Sequence, residues 1–184
     1  MATVKKGWKE KTTYRIIAPE SFDQQEIGAT VSSNESNLIG RNIEVSLRDL
    51  TGDKAKQYLK IIFEIFKVEE GKAKTRFKRF YTSQQYMRSR IRKGMSKIEP
   101  EMKIKLADGT VWVKVVIATQ KKVQTSKSID MNKRVFSIIE KYKDLKLNEF
   151  LQMALFGKLG TDIYHNVKKI SPTKRVEIEE IKLL

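Results

Sequence analysis

Apolar positions recur with two different periods along the chain. The period is two over most of the first 117 residues and helical from about residue 128. Tyr14, Ile16 and Ala18 alternate with Thr13, Arg15 and Ile17, a short strand stopped by Pro19. Ile27–Thr30 reads as a second brief strand and Ser32–Asn37 as a loop. Ile39–Leu47 carries the next strand signal, which the turn-forming run Ser46–Asp53 breaks. Leu59, Ile61, Phe63 and Ile65 then share one face of a strand, with Lys60 and Glu64 on the other. After a turn at Glu69-Glu70-Gly71 the chain returns as a strand from Lys72 to Tyr81.

Ser83 is placed to cap a helix running to about Lys93 and ended by Gly94, with Met87 and Ile91 on its apolar side. Met102, Ile104 and Leu106 lead into Asp108-Gly109, a hairpin signal, and Val111, Val113, Val115 and Ile117 line the returning strand. Met131, Val135, Ile138, Ile139 and Tyr142 mark an amphipathic helix. Asn148 is a candidate cap for a further helix carrying Leu151, Leu155, Leu159, Ile163 and Val167, with Gly157 and Gly160 inside it where close packing is expected. Past Pro172, Val176 and Ile178 and then Ile181 and Leu183 form a closing strand, whose phase break at Glu179-Glu180 predicts a bulge. The expected fold is α+β: an antiparallel, barrel-like β-sheet with about three flanking α-helices. It forms a single domain over 13–184, preceded by a basic arm over 1–12.

Charge narrows the function. The chain has 38 Lys and Arg against 22 Asp and Glu, a formal charge of +16. Such an excess speaks to partners, with nucleic acid first, an anionic membrane surface second and an acidic protein third. No apolar run approaches the ~18 residues needed to span a bilayer, and no secretory signal is expected. The absence of cysteine excludes a disulfide framework and suits a cytoplasmic protein. The cations cluster. Between Glu70 and Glu99 there is no acid, yet the stretch holds Lys72, Lys74, Arg76, Lys78, Arg79, Arg88, Arg90, Arg92, Lys93 and Lys97. Period-two geometry gives Lys72, Lys74, Arg76 and Lys78 one strand face, and a helix would stack Arg88 on Arg92. Lys121, Lys122 and Lys127 form a second acid-free stretch. These thirteen residues are the candidate RNA-binding set, with the counter-charge expected from outside the chain. Trp8, Tyr81 and Tyr86 are candidate base-stacking residues, against the alternative of ordinary packing.

No catalytic constellation is found, and no cofactor or metal is expected. Asp49 and Asp53 flank a turn and suit capping better than Mg²⁺. His165 lies on the polar face of its helix beside Lys158, Thr161, Lys168 and Lys169. Gly157-Lys158-Leu159-Gly160 lacks the phosphate-loop frame.

Several segments taken together resemble a known family. They are Ile17-Ala18-Pro19 with Phe22, Leu38-Ile39-Gly40-Arg41, and Glu44-Val45-Ser46-Leu47 with Asp49-Leu50-Thr51-Gly52-Asp53. Tyr86-Met87-Arg88-Ser89, Ser96-Lys97-Ile98, Thr125-Ser126, Gly157-Lys158-Leu159 and Arg175-Val176-Glu177-Ile178 continue the likeness. The chain resembles the "three-Ae" (also called "one-e") family of small-subunit ribosomal proteins of archaea and eukaryotes. It departs from the family's pattern at Ser171, Lys127, Lys121 and Lys122. Ending at Leu184, without the longer tail of eukaryotic members, it resembles a short archaeal-type member. The resemblance implies a structural constituent of the small ribosomal subunit, not an enzyme, on the platform near the messenger exit. The implied partners are small-subunit ribosomal RNA, neighbouring small-subunit ribosomal proteins and messenger RNA near the exit, with no membrane contact. The alternatives are a non-ribosomal RNA-binding translation factor and an RNA-processing enzyme.

Overall fold

Strand β1 (Thr12–Ile17) forms where the alternation begins, with Tyr14 and Ile16 buried and Thr13 and Arg15 exposed. A computed structural model describes residues 11–184 of the chain. The basic arm, Trp8 included, lies outside the described residues except for Lys11 and for Thr12, which already belongs to β1. Internal contacts divide the chain into two compact units between Arg79 and Phe80.

In the first unit β1 pairs antiparallel with β2 (Glu26–Ser32), and β3 (Asn42–Ser46) with β4 (Leu59–Glu69). The predicted inward face of β4 holds, for Leu59, Ile61, Phe63 and Ile65 are all buried. β4 turns into β5 (Lys72–Thr82), and β1 lies parallel to the start of β5, with Arg15 opposite Lys72. The ladders are therefore not all antiparallel, because residues 18–71 separate these partners, enough chain for a crossover. Tyr14, Ile16, Leu38, Ile65 and Ala73 pack into one core cluster. The run Ser46–Asp53 is a short helix, α1 (Leu47–Thr51), rather than a turn. Ser46 Oγ accepts from Arg48 N at 3.2 Å to start it, and Leu47 and Leu50, three residues apart, bury the same side.

In the second unit α2 (Gln84–Arg90) follows the last residues of β5, and β8 (Gly109–Thr119) is the central strand. β9 (Thr173–Leu183) takes one edge of β8, while β6 (Lys97–Ile98) and β7 (Glu101–Leu106) take the other. Lys114 faces Glu180 and Val115 faces Ile178, so Glu179 is the extra residue of the predicted bulge. Beside these strands stand α3 (Thr125–Ile139), α4 (Leu147–Leu155) and α5 (Lys158–Val167).

Neither unit closes into a barrel. Among the described residues β2, β3, β6 and β7 each have one partner strand, so no ladder returns on itself. Among the described residues, five α-helices replace the expected three. α1 is one addition, and the single expected helix through the leucine ladder is two helices, α4 and α5. Gly157 sits between them at φ +79°, a left-handed conformation that favours glycine. The ladder is still buried throughout, from Leu151 to Val167. α4 begins before Asn148, and its Leu147 N–H donates to Asp108 of the hairpin turn at 3.3 Å. A Cβ on Gly160 would lie 3.7 Å from the Val176 carbonyl oxygen, in keeping with the expected close packing.

Candidate nucleic-acid interface

The cationic strand face exists, and the chain supplies part of its counter-charge. Lys72, Lys74 and Arg76 point outward from β5 and Lys78 is half-buried, while Ala73, Thr75 and Phe77 point in. Glu64 on β4 accepts from Arg76 Nε at 3.1 Å and Nη2 at 3.0 Å, and from Lys78 Nζ at 3.3 Å. Chiefly through the Arg76 bond, these contacts hold its carboxyl below the ordinary carboxylate value. Glu69 accepts from Lys67 and, at 2.6 Å, from Lys74, which brings its carboxyl down to about 2. The expectation that all counter-charge comes from outside is thus corrected. The carboxylates lie before residue 71 in sequence but opposite β5 across the hairpin. Arg79 is half-buried.

The second expectation to change concerns Arg92. α2 ends at Arg90, and Ile91 is extended at φ −98°, ψ 117°, so Arg92 does not stack on Arg88. A turn closed by the Met95 N–H donating to the Arg92 carbonyl at 3.2 Å, with Gly94 at φ +94°, then brings the chain to the edge of β8, where Lys97 pairs with Ala118 and Ile98 with Ile117. Arg88, Arg90, Arg92, Lys93 and Lys97 are exposed along this path, Lys97 donating to Glu99 at 2.7 Å.

That pairing joins the two acid-free stretches. The loop holding Lys121 and Lys122 is tied back at three points. Ser96 N donates to Thr119 Oγ1 at 3.0 Å, Thr119 Oγ1 to the Lys121 carbonyl at 2.7 Å, and Val123 N to Ser96 Oγ at 2.9 Å. Lys127 follows in the first turn of α3, exposed like Lys121 and Lys122. Arg175 on β9 faces Ala118 of β8, whose other neighbour is Lys97. Residues level across a sheet share a face, so Lys97 and Arg175 project together about two strand spacings, or 9.5 Å, apart. Lys174 and Arg175 were missed in the sequence because Glu177, Glu179 and Glu180 follow closely. The readable signal was the two cations directly after Pro172-Thr173.

Of the candidate stacking residues, Tyr81 is half-buried. Tyr86 lies beneath the Arg90 guanidinium, 5.0 Å from the ring centroid, and its hydroxyl is bonded to Arg175 and Glu177. Asp53 accepts from Ala55 N at 3.0 Å, the capping role expected of it, and Asp49 is exposed. His165 is exposed. No group of three or more potential metal ligands occurs among the described residues. None of their helices is long and apolar enough to cross a membrane.

A family model for the Ribosomal S3Ae family matches residues 1–184. The chain belongs to the Ribosomal S3Ae family. Relatives agree over almost their whole length. The small ribosomal subunit protein eS1 of Methanobrevibacter smithii is 38% identical, covering 98% of this chain and 95% of its own. The eS1 protein of Archaeoglobus fulgidus is also 38% identical, over 100% of this chain and 89% of its own. That of Sulfurisphaera tokodaii is 33% identical over 98% and 95%. In this member of the Ribosomal S3Ae family, then, the exposed cations of α2, of the path to β6 and of the loop after β8 share one unit.

Proposed function

We propose that the chain is a structural constituent of the small ribosomal subunit and not an enzyme, working in translation in the cytoplasmic ribosome. It binds ribosomal RNA chiefly through the surface that joins Arg88, Arg90, Arg92, Lys93 and Lys97 to Lys121, Lys122 and Lys127. The carrying observation is the β6–β8 pairing with its Ser96–Thr119 bonds, which brings two cationic stretches together in a member of a ribosomal-protein family. Phosphates neutralise this surface, and their released counter-ions make the affinity salt-dependent. Lys72, Lys74, Arg76, Lys78 and Arg79 form a second, weaker contact, since Glu64 and Glu69 compete there for the same cations. Neighbouring small-subunit proteins cover part of the remaining surface. The location is the platform near the messenger exit, with messenger RNA a further contact, as the family resemblance implies. Sedimentation tests the assignment. The chain should travel with purified small subunits through moderate salt, and recovery only in the ribosome-free supernatant would overturn it.

A further inference from the structure

The start of β9 and the end of α2 enclose a cleft of about 90 Å³ lined by Ser89, Arg90, Arg92, Lys174 and Arg175. Tyr86 holds two of these cations. Its ring lies under Arg90, and its hydroxyl accepts from Arg175 Nη1 at 2.5 Å while donating to Glu177 Oε1 at 3.3 Å. Arg175 also pairs with Glu177 at 3.2 Å. A guanidinium carries five N–H donors in a planar fork, so these contacts engage one face of Arg90 and one edge of Arg175. The Ser89 hydroxyl proton is committed to the Tyr86 carbonyl at 2.7 Å, which leaves the four cations to meet a ligand.

Even with Glu177 ionised, the four cations leave three positive charges in excess around the cleft. Arg92 and Lys174 are exposed. The volume is about three times the share of one water molecule in the liquid, the scale of a phosphate group rather than a nucleotide. We propose that this cleft is a preorganised clamp for a single phosphate of the RNA backbone, with Tyr86 as the positioning residue that brings Arg90 and Arg175 together. The clamp rests on the reading that the chain binds ribosomal RNA.

The test uses the full chain and small-subunit ribosomal RNA transcribed in vitro, with filter binding over a salt series and ethylation interference on the RNA phosphates. Arg92→Gln with Lys174→Gln changes two exposed side chains. It should lower affinity about tenfold at low salt, flatten the log–log salt slope by about one, and abolish interference at one phosphate. Tyr86→Phe keeps every charge and the ring beneath Arg90 but drops the hydroxyl that holds Arg175. It should weaken interference at that same phosphate while the thermal midpoint and the other interference positions stay in place. Unchanged affinity, slope and interference in the Arg92/Lys174 variant, beside normal wild-type binding, overturns the clamp and leaves RNA binding standing. Failure of the wild-type chain to bind the RNA overturns both.

Discussion

Which cations are available to RNA is decided side chain by side chain. Arg76 and Lys74 are exposed partners in their pairs, their side chains 63% and 52% accessible, so solvent screens the attraction and the pairs hold them only weakly. A phosphate can therefore displace Glu64 or Glu69 at little cost. Glu64→Gln should release Arg76 and Lys78, raise RNA affinity a few-fold and steepen its salt dependence, as read by filter binding across a salt series. The same substitution has a pH signature. A carboxyl held below its ordinary value adds stability above about pH 4.5, and that stability is lost as pH falls through the folded-state value. Wild type should thus lose more stability than Glu64→Gln between pH 6 and pH 3 in urea denaturation. Lys114 is a different case. Its ammonium lies 3.2 Å from Glu99, 3.3 Å from Glu101 and 3.1 Å from Glu179. Burial pulls its pKa down, but the bonds to Glu179 and Glu99 more than reverse this and leave it well above the ordinary lysine value. Glu99, which burial alone would raise, is held below its ordinary value by Lys97 and Lys114. Lys114→Met leaves three carboxylates facing one another and should destabilise the fold by about 1–3 kcal/mol at pH 7. The loss should shrink by pH 4, where protonation relieves the repulsion, so equal losses at both pH values would refute this account.

At the scale of elements the two glycines of the leucine ladder have opposite expectations. Gly157 has open space around it and a left-handed backbone, so the cost of a side chain there is conformational alone. Gly157→Ala should destabilise by about 1–2 kcal/mol. Gly160 lies inside α5, where a methyl group would make ordinary contact with the Val176 carbonyl, so Gly160→Ala should gain up to about 1 kcal/mol of helix propensity. Thermal midpoints that move in the same direction would contradict this division. The pair also shows where sequence reading stops. Leu151, Leu155, Leu159, Ile163 and Val167 all face the core, so four-residue spacing continues across a break that only the backbone angle of Gly157 reveals. Strands were readable because burial imposes period two, down to the bulge at Glu179, where the side-chain phase itself slips. The end of α2 was not readable, since Gly94 offered an obvious stop while the helix ends at Arg90, three residues short of the expected Lys93, where Ile91 turns extended. Pairing across strands hid the counter-ions as well, because Glu64 meets Arg76 at a separation of twelve residues. The same blindness concealed Lys174 and Arg175, whose cationic neighbours come from α2 and the loop after it.

At the scale of the whole molecule the charge is unevenly divided. Residues 80–184 carry 22 Lys and Arg against 11 Asp and Glu, and residues 1–79 carry 16 against 11. An acid-free run in sequence is therefore a weaker guide to an RNA surface than the balance of charge after folding. Lys74 and Lys78 sit in such a run and are paired across the hairpin, whereas Lys174 sits among acids and borders a cationic cleft. Lysine modification should separate these cases, because an ammonium in contact with phosphate is shielded from an acylating reagent. Compared with the free chain, the chain in intact small subunits should lose reactivity most at Lys93, Lys121, Lys122, Lys127 and Lys174. Lys67, Lys74 and Lys78 should change less, since their carboxylate partners are already present in the free chain. Raising salt before labelling should return reactivity to the first group and leave the second nearly constant, because RNA contacts weaken steeply with salt whereas the carboxylate partners of Lys67, Lys74 and Lys78 belong to the same fold. Protection centred on Lys72, Lys74 and Lys78 instead would make the face of β5 the principal anchor, and the surface around β6 and β8 a secondary one.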